Sequence, residues 1–157
     1  MTTLKKLLTL SLLTACSQTQ PSAQKDVIYP EKLNPNDSIV VNYDSHGCFH
    51  HRSNVLVFKK DSVTVYDKIN KWNQKYAEKK KVGIVKLNSF DQSRLRSLFR
   101  YYESDLKGNC TTQKEVEIKY YIAKTLISSK KVLDGTCGEG QAKSLTSFYE
   151  FVERARQ

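Results

Sequence analysis

From Glu115 to Ile122 the chain alternates without a break, with Val116, Ile118, Tyr120 and Ile122 on one side and Glu115, Glu117 and Lys119 on the other. Side chains leave a strand with a period of two, so this run is a strand with one buried face and one wet face. Such a strand belongs to an antiparallel sheet covered on one side only. The rest of the chain supplies companions for it. Ile39, Val40 and Tyr43 form a short strand that runs into the stretch from Asp44 to His51. Asn54 to Phe58 and Ser62 to Tyr66, separated by Lys59-Lys60-Asp61, read as a hairpin. Val82 to Leu87 reads as a further strand, and Leu126 to Leu133 returns beside the alternating run, although no turn signal marks the reversal.

Two segments change period to that of a helix. Ser89 and Gln92 stand at the first and fourth positions of a capping box, and Leu95, Leu98, Phe99, Tyr102 and Leu106 then share one helical face until Gly108 and Asn109 stop it. Near the end, Leu145, Phe148, Tyr149 and Val152 recur at helical spacing. The order strands, helix, strands, helix predicts an α+β fold, an antiparallel sheet with two helices packed on one face. With 157 residues, one core is expected rather than two.

The first residues belong to none of this. Lys5 and Lys6 precede an apolar run from Leu7 that is too short to span a bilayer and ends in small residues, the pattern of a secretory signal peptide. The four residues that close it, Leu13-Thr14-Ala15-Cys16, resemble the lipobox of bacterial lipoproteins. That resemblance implies cleavage after Ala15 and attachment of lipid, palmitate included, to Cys16 as the first mature residue. Each buried methylene contributes roughly 0.8 kcal/mol, so two or more acyl chains make the attachment stable. Ser17, in place of an aspartate, resembles the pattern of lipoproteins sent to the outer membrane, which implies a protein facing the periplasm. The expected organisation is a signal peptide over residues 1–15, a lipidated Cys16 with a flexible tether over 16–36, and a single α+β domain over 37–157. The tether is rich in Ser, Gln, Asn and Pro, and within it only Val27, Ile28 and Tyr29 have enough apolar surface to dock, as an edge strand.

Net charge is +10 for the whole chain, and loss of Lys5 and Lys6 with the signal peptide leaves +8. On an exported protein the anionic neighbours are lipid headgroups, lipopolysaccharide or wall polymers, so no nucleic-acid partner is expected. The membrane is the expected partner through the lipid, together with an anionic envelope component or an envelope protein. The densest charge lies from Lys68 to Lys81, where lysines interleave with Trp72 and Tyr76. Trp72, Tyr76, Lys79 and Lys80 are therefore candidates for surface binding. The simpler reading of this stretch is a solvated loop or short helix whose two aromatic residues, four apart, pack on the domain.

Reactive side chains gather in one loop. His46, His50 and His51, all the histidines of the chain, flank Cys48 with Asp44 nearby. Imidazole and thiolate suit Zn or Cu, and in an extended chain His46, Cys48 and His50 project to one side while His51 points to the other. Used as a nucleophile, Cys48 would draw its base from His46 or His50. The plain reading is a turn with exposed histidines and a buried or paired Cys48. No P-loop, HExxH, hydrolase elbow or CxxC accompanies it, so an enzyme is the less favoured reading and no cofactor is required. With Cys16 committed to lipid, Cys48, Cys110 and Cys137 remain, and their chemistry leaves three pairings open.

Gly47-Cys48-Phe49-His50, Cys110-Thr111-Thr112 before a strand, and Asp134 with Cys137 before the last helix together resemble a family of small exported bacterial proteins of unknown function. The resemblance spans residues 44–152 and implies a Cys110–Cys137 disulfide. It implies no activity. The function expected from the sequence is a lipid-anchored envelope protein acting as a non-catalytic binding or structural module, with metal binding through the His46–His51 loop or a Cys48 thiol enzyme as alternatives.

Overall fold

The computed structural model describes residues 27–47, 50–69, 78–104, 106, 108, 111–136 and 147–157. The alternating segments become six strands, β1 (Ser38–Gly47), β2 (His50–Phe58), β3 (Ser62–Ile69), β4 (Glu78–Lys86), β5 (Gln113–Ile122) and β6 (Thr125–Asp134), and the helical ones become α1 (Ser89–Tyr101) and α2 (Phe148–Arg156). All strand pairs are antiparallel, in the order β4-β3-β2-β1-β5-β6. The fold is α+β, as the pattern predicts. Among the described residues no helix is long and apolar enough to cross a membrane.

Burial follows the period-two pattern. Ile39, Val41 and Tyr43 of β1, Leu56 and Phe58 of β2, Val63 and Val65 of β3, and Val116, Ile118 and Tyr120 of β5 are buried and share one face with the helices. α1 adds Leu95, Leu98 and Phe99, and α2 adds Phe148, Phe151 and Val152. The helices are clamped by two arginine–carboxylate pairs one turn apart. Arg154 donates to both oxygens of Asp91 at 2.7 and 3.2 Å, and Arg94 donates to both oxygens of Glu150 at 3.1 and 3.0 Å. α2 lies so close to β4 that a Cβ on Gly83 would stand 2.4 Å from the carbonyl oxygen of Ala155. A side chain there would displace the helix, which is why this edge position is glycine.

Several boundaries differ from the sequence expectation. The capping box is made by Asn88 and Asp91, each side chain bonded to the other's backbone N–H, rather than by Ser89 and Gln92. α1 ends at Tyr101, before Leu106, although Leu106 is still buried. The segment assigned to the tether enters the core: Tyr29 and Leu33 are buried around a one-turn 3-10 helix over Pro30–Lys32, with Val27 and Ile28 packed against them. Within the lysine-rich stretch, Lys68 and Ile69 end β3 and Glu78 to Lys81 begin β4, so its described ends are strand rather than loop or helix. The reversal between β5 and β6 is made by Ala123 and Lys124, both at positive φ, 46° and 72°. These are the conformations of a tight hairpin turn, occupied here without Gly or Asn.

The face away from the helices carries a polar lattice. Asn42 donates to Glu117 at 2.7 Å, Lys119 pairs with Glu117 at 2.9 Å, Lys131 with Glu115 at 2.8 Å, and Asp44 accepts from Ser53 and from Lys68, the latter at 2.7 Å. Burial alone pushes the Glu117 carboxyl up, but its bonds to Lys119, Asn42 and Ser129 hold it below the usual range.

Candidate functional site

The sheet has two unlike ends. At one, the chain enters through residues 34–38 and β5 turns into β6. At the other lie the β1–β2 reversal, the end of β3, the start of β4, the start of β5 and the end of β6. We call these the entry end and the loop end. The predicted site residues that are described, His46, His50, Lys79 and Lys80, belong to the loop end.

Tight reversal between Gly47 and His50 changes which histidines meet. Gly47 lies opposite His50 and His46 lies opposite His51, so His46 and His51 share a face. Their rings stack with centroids 4.4 Å apart. The reading that His51 points away from His46 holds for an extended chain and fails for this hairpin. Among the described residues no group of three His, Cys, Asp or Glu converges as a metal site does. Cys48 and the side chain of His50, two of the three candidate ligands, lie outside those residues, as do Cys16, Cys110, Cys137, Trp72 and Tyr76.

Beside the histidines the sheet forks. The β1–β2 ladder runs to Gly47 and His50 and the β3–β4 ladder to Ile69 and Glu78, but the β2–β3 ladder stops at Asn54 and Asp67. A cavity of about 430 Å³ opens between the separated ends, lined by His51, Arg52, Asn54, Asp67, Lys68 and Arg156 among others. The Arg52 guanidinium lies over the Tyr149 ring, 3.7 Å from its centroid, which leaves the planar N–H fork facing outward. Arg156 donates to Asp67 at 3.1 Å, and Asn54 donates to the same oxygen at 2.7 Å. Lys80 stands opposite Asp67 and Lys79 opposite Lys68 in the β3–β4 register, and both are exposed. The gap thus has Arg52, Asp67 and Arg156 on its helix side and Lys68, paired with Asp44, toward the other face, with Lys79 and Lys80 on the neighbouring strand β4. An excess of cations at a cleft suits a carboxylate or phosphate, and arginine suits it in a two-pronged geometry.

Lys79 and Lys80, the predicted surface residues whose side chains are described, stand on β4 opposite Lys68 and Asp67, next to the cleft but outside its lining. Arg52, Lys68 and Arg156 were missed. Arg52 adjoins the histidine loop and could have been drawn in by its charge; Arg156 lies 104 positions away in sequence, with no local signal.

Across the same end, Asp134 is fully buried. It accepts from the Tyr101 hydroxyl at 3.1 Å and from the Thr136 N–H and hydroxyl at 2.9 and 2.6 Å, the turn chemistry its place before Gly135 suggests. Gly135 and Gly108 meet backbone to backbone: a Cβ on either would lie within 2.6 Å of the other's carbonyl oxygen. A depression of about 660 Å³ lies alongside, but its lining from Glu103 to Gly135 holds none of the predicted site residues. Gly108 is two positions before Cys110 and Gly135 two before Cys137, so the described flanks of both cysteines converge. Peptide mapping of unreduced protein is therefore expected to recover Cys110 and Cys137 in one disulfide-linked peptide, with Cys48 alkylated. Closing a loop of 27 residues contributes about 3.5 kcal/mol in the chain-entropy account. Recovery of Cys48 in a bridge would instead remove the nucleophile of any thiol chemistry.

Compared with known proteins, the chain matches no family model, no curated protein and no solved structure.

Proposed function

We propose that this chain is a lipid-anchored protein of the bacterial cell envelope, held at the outer membrane through Cys16, whose folded domain is a non-catalytic binding module for an anionic envelope component. The anchor rests on Leu13-Thr14-Ala15-Cys16 behind a basic and apolar leader. The binding role is supported above all by the forked cleft, where Arg52, Lys68 and Arg156 line a cavity and Lys79 and Lys80 extend its positive rim. Arg52 is the residue we expect to meet the ligand directly. A wall polymer bearing carboxylates or phosphates is the ligand class that fits, and attraction to it should weaken with salt.

The test has two arms. Full-length protein made in a bacterium and fed an alkyne analogue of palmitate should carry the label, and Cys16→Ser should lose it. Detergent-solubilised full-length protein should co-sediment with purified cell-wall sacculi at low salt. There, Arg52→Ala or the Lys79→Glu/Lys80→Glu pair should each weaken binding about tenfold, the loss of one good charge-assisted contact. Absence of label disposes of the anchor. Undiminished binding by both variants, or no binding at all, disposes of the cleft.

A further inference from the structure

The entry end of the sheet has an apolar surface that a hairpin tip does not ordinarily carry. Ile122, Leu126 and Ile127 surround the Ala123-Lys124 turn and are each more than two-fifths exposed. Register explains Ile127: Tyr120 pairs with Ser128 and Tyr121 with Leu126, so Ile127 is the extra residue of a bulge and is turned out of the ladder. Phe90, in the first turn of α1, and Ile84, near the end of β4, are exposed in the same half of the molecule, with β4 at the opposite edge of the sheet from β6. Five of the six exposed large apolar side chains among the described residues lie there; only Leu133 lies toward the loop end. Lys32, Lys60, Lys86 and Lys124 are exposed at the same end of the strands, Lys124 within the turn itself. The acids at this end are mostly engaged. Glu31 pairs with Arg96 at 3.1 Å, and Asp37 accepts from Asn34 and from the Ala123 N–H, leaving Asp61 exposed.

The chain itself enters beside this surface. Val27 and Ile28 line one groove with Tyr120 and Ile127. Cys16 is 11 residues upstream of Val27. A fully extended segment of that length reaches at most about 40 Å, and a flexible one spans about 20 Å on average. A lipid on Cys16 therefore holds the entry end within a few nanometres of the bilayer, where even a weak contact acts at about millimolar effective concentration. Apolar side chains at an end that also exposes lysines fit the boundary between acyl chains and anionic headgroups.

We infer that the entry end is a membrane-contact face: Ile122, Leu126 and Ile127 insert into the interfacial layer of an anionic bilayer while the lysines meet its phosphates. This rests on the lipid attachment proposed for Cys16. Contact there turns the forked cleft away from the membrane, because cleft and hairpin tip are at opposite ends of the strands. The tether then sets the distance and the hairpin sets the orientation.

The test uses full-length protein reconstituted into phosphatidylglycerol-containing vesicles with brominated acyl chains. Against a Trp72→Phe background, Leu126→Trp should place a fluorophore that bromine quenches at least twofold, whereas Lys79→Trp should place one that is unaffected. Quenching should fall in vesicles of phosphatidylcholine alone. Intact mass of the same samples reports the lipid on Cys16. An unquenched tryptophan at 126 in lipidated protein overturns the contact face and leaves the anchor standing; quenching in protein that lacks the lipid supports the face and overturns the anchor. Equal quenching in neutral vesicles overturns the anionic partner. If the Cys16→Ser chain dimerises in buffer and shields the tryptophan at 126 without vesicles, a second copy covers the surface and the inference fails.

Discussion

Phe148→Ala is expected to destabilise the domain by about 4 kcal/mol, the upper part of the range for removing a buried aromatic ring. Phe148 opens α2 and is fully buried. Its ring lies 5.4 Å from Tyr102, 5.7 Å from Phe99, 6.0 Å from Phe58 and 6.3 Å from Tyr43, centroid to centroid. These neighbours come from the end of α1, from β2 and from β1, so the ring fills the point where both helices meet the sheet. Alanine leaves a cavity that backbone on three sides cannot collapse to fill, and it forfeits edge-to-face contacts worth about 1 kcal/mol each. Urea unfolding should show a lower midpoint with an unchanged slope, since the surface exposed on unfolding scarcely alters. Phe90→Ala is the matched control. Phe90 is 65% exposed, and its loss should change stability by no more than about 0.5 kcal/mol. A cost below about 1.5 kcal/mol for Phe148→Ala would mean that this cluster does not hold the core.

The second large effect is at Asp91, whose single carboxylate does two things. It accepts the Asn88 N–H at 3.1 Å to close the cap of α1, and it receives the Arg154 guanidinium from α2. Asp91→Ala removes a cap worth about 1 kcal/mol and strands an arginine that is only 31% exposed, for a combined loss of about 3 kcal/mol after allowance for solvent around Arg154. Asp91→Asn keeps an acceptor and the shape but not the charge, and should cost about half as much.

pH separates the two contributions. Burial by itself raises the Asp91 carboxyl, yet the hydrogen bond from Arg154, the cap N–H and the charges of Arg154 and Arg94 outweigh it and hold it below the ordinary range. A group depressed in the folded state stabilises it at pH above the unfolded value, about 3.9, and this stabilisation is lost as pH falls through the folded value. The gap between the native chain and Asp91→Asn should therefore be constant from neutrality to about pH 5 and close below about pH 4. A gap that does not narrow at all as pH falls below about 4 would show that the charge is not what matters. Asp37 and Glu117 are depressed in the same direction, so the native chain as a whole should weaken over the same acid window.

Much of the architecture was legible locally. Val116, Ile118 and Tyr120 face the core as their alternation requires, and Leu95, Leu98 and Phe99 face it at helical spacing. The start of α1 was misplaced by one residue because Asn88-x-x-Asp91 and Ser89-x-x-Gln92 are both competent boxes. Asp91 also reaches Arg154, and that contact with α2 supports the first frame. β4 was read short because its first four residues, Glu78 to Lys81, are exposed and need no apolar alternation; its lysines from 79 to 81 look like loop and still pair. In the histidine loop the side taken by His51 was misread for a geometric reason. Period-two reasoning assumes one direction of travel, and the reversal between Gly47 and His50 brings His51 beside His46.

The sequence by itself determined the class of fold, the face that β3 and β5 would bury, and the charge and leader that argue for an envelope protein, because each depends on spacing within a dozen residues. Only the tertiary structure decided that β5 would pair with β1, that β2 and β3 would part at Asn54 and Asp67, and that Arg52, Lys68 and Arg156 would line the gap. It also decided that Val27 and Ile28 would lie beside Ile127, giving the molecule one apolar end and one charged end. Those pairings join residues up to about a hundred positions apart, chosen by mutual burial and register across the whole sheet, and no local pattern encodes the partner.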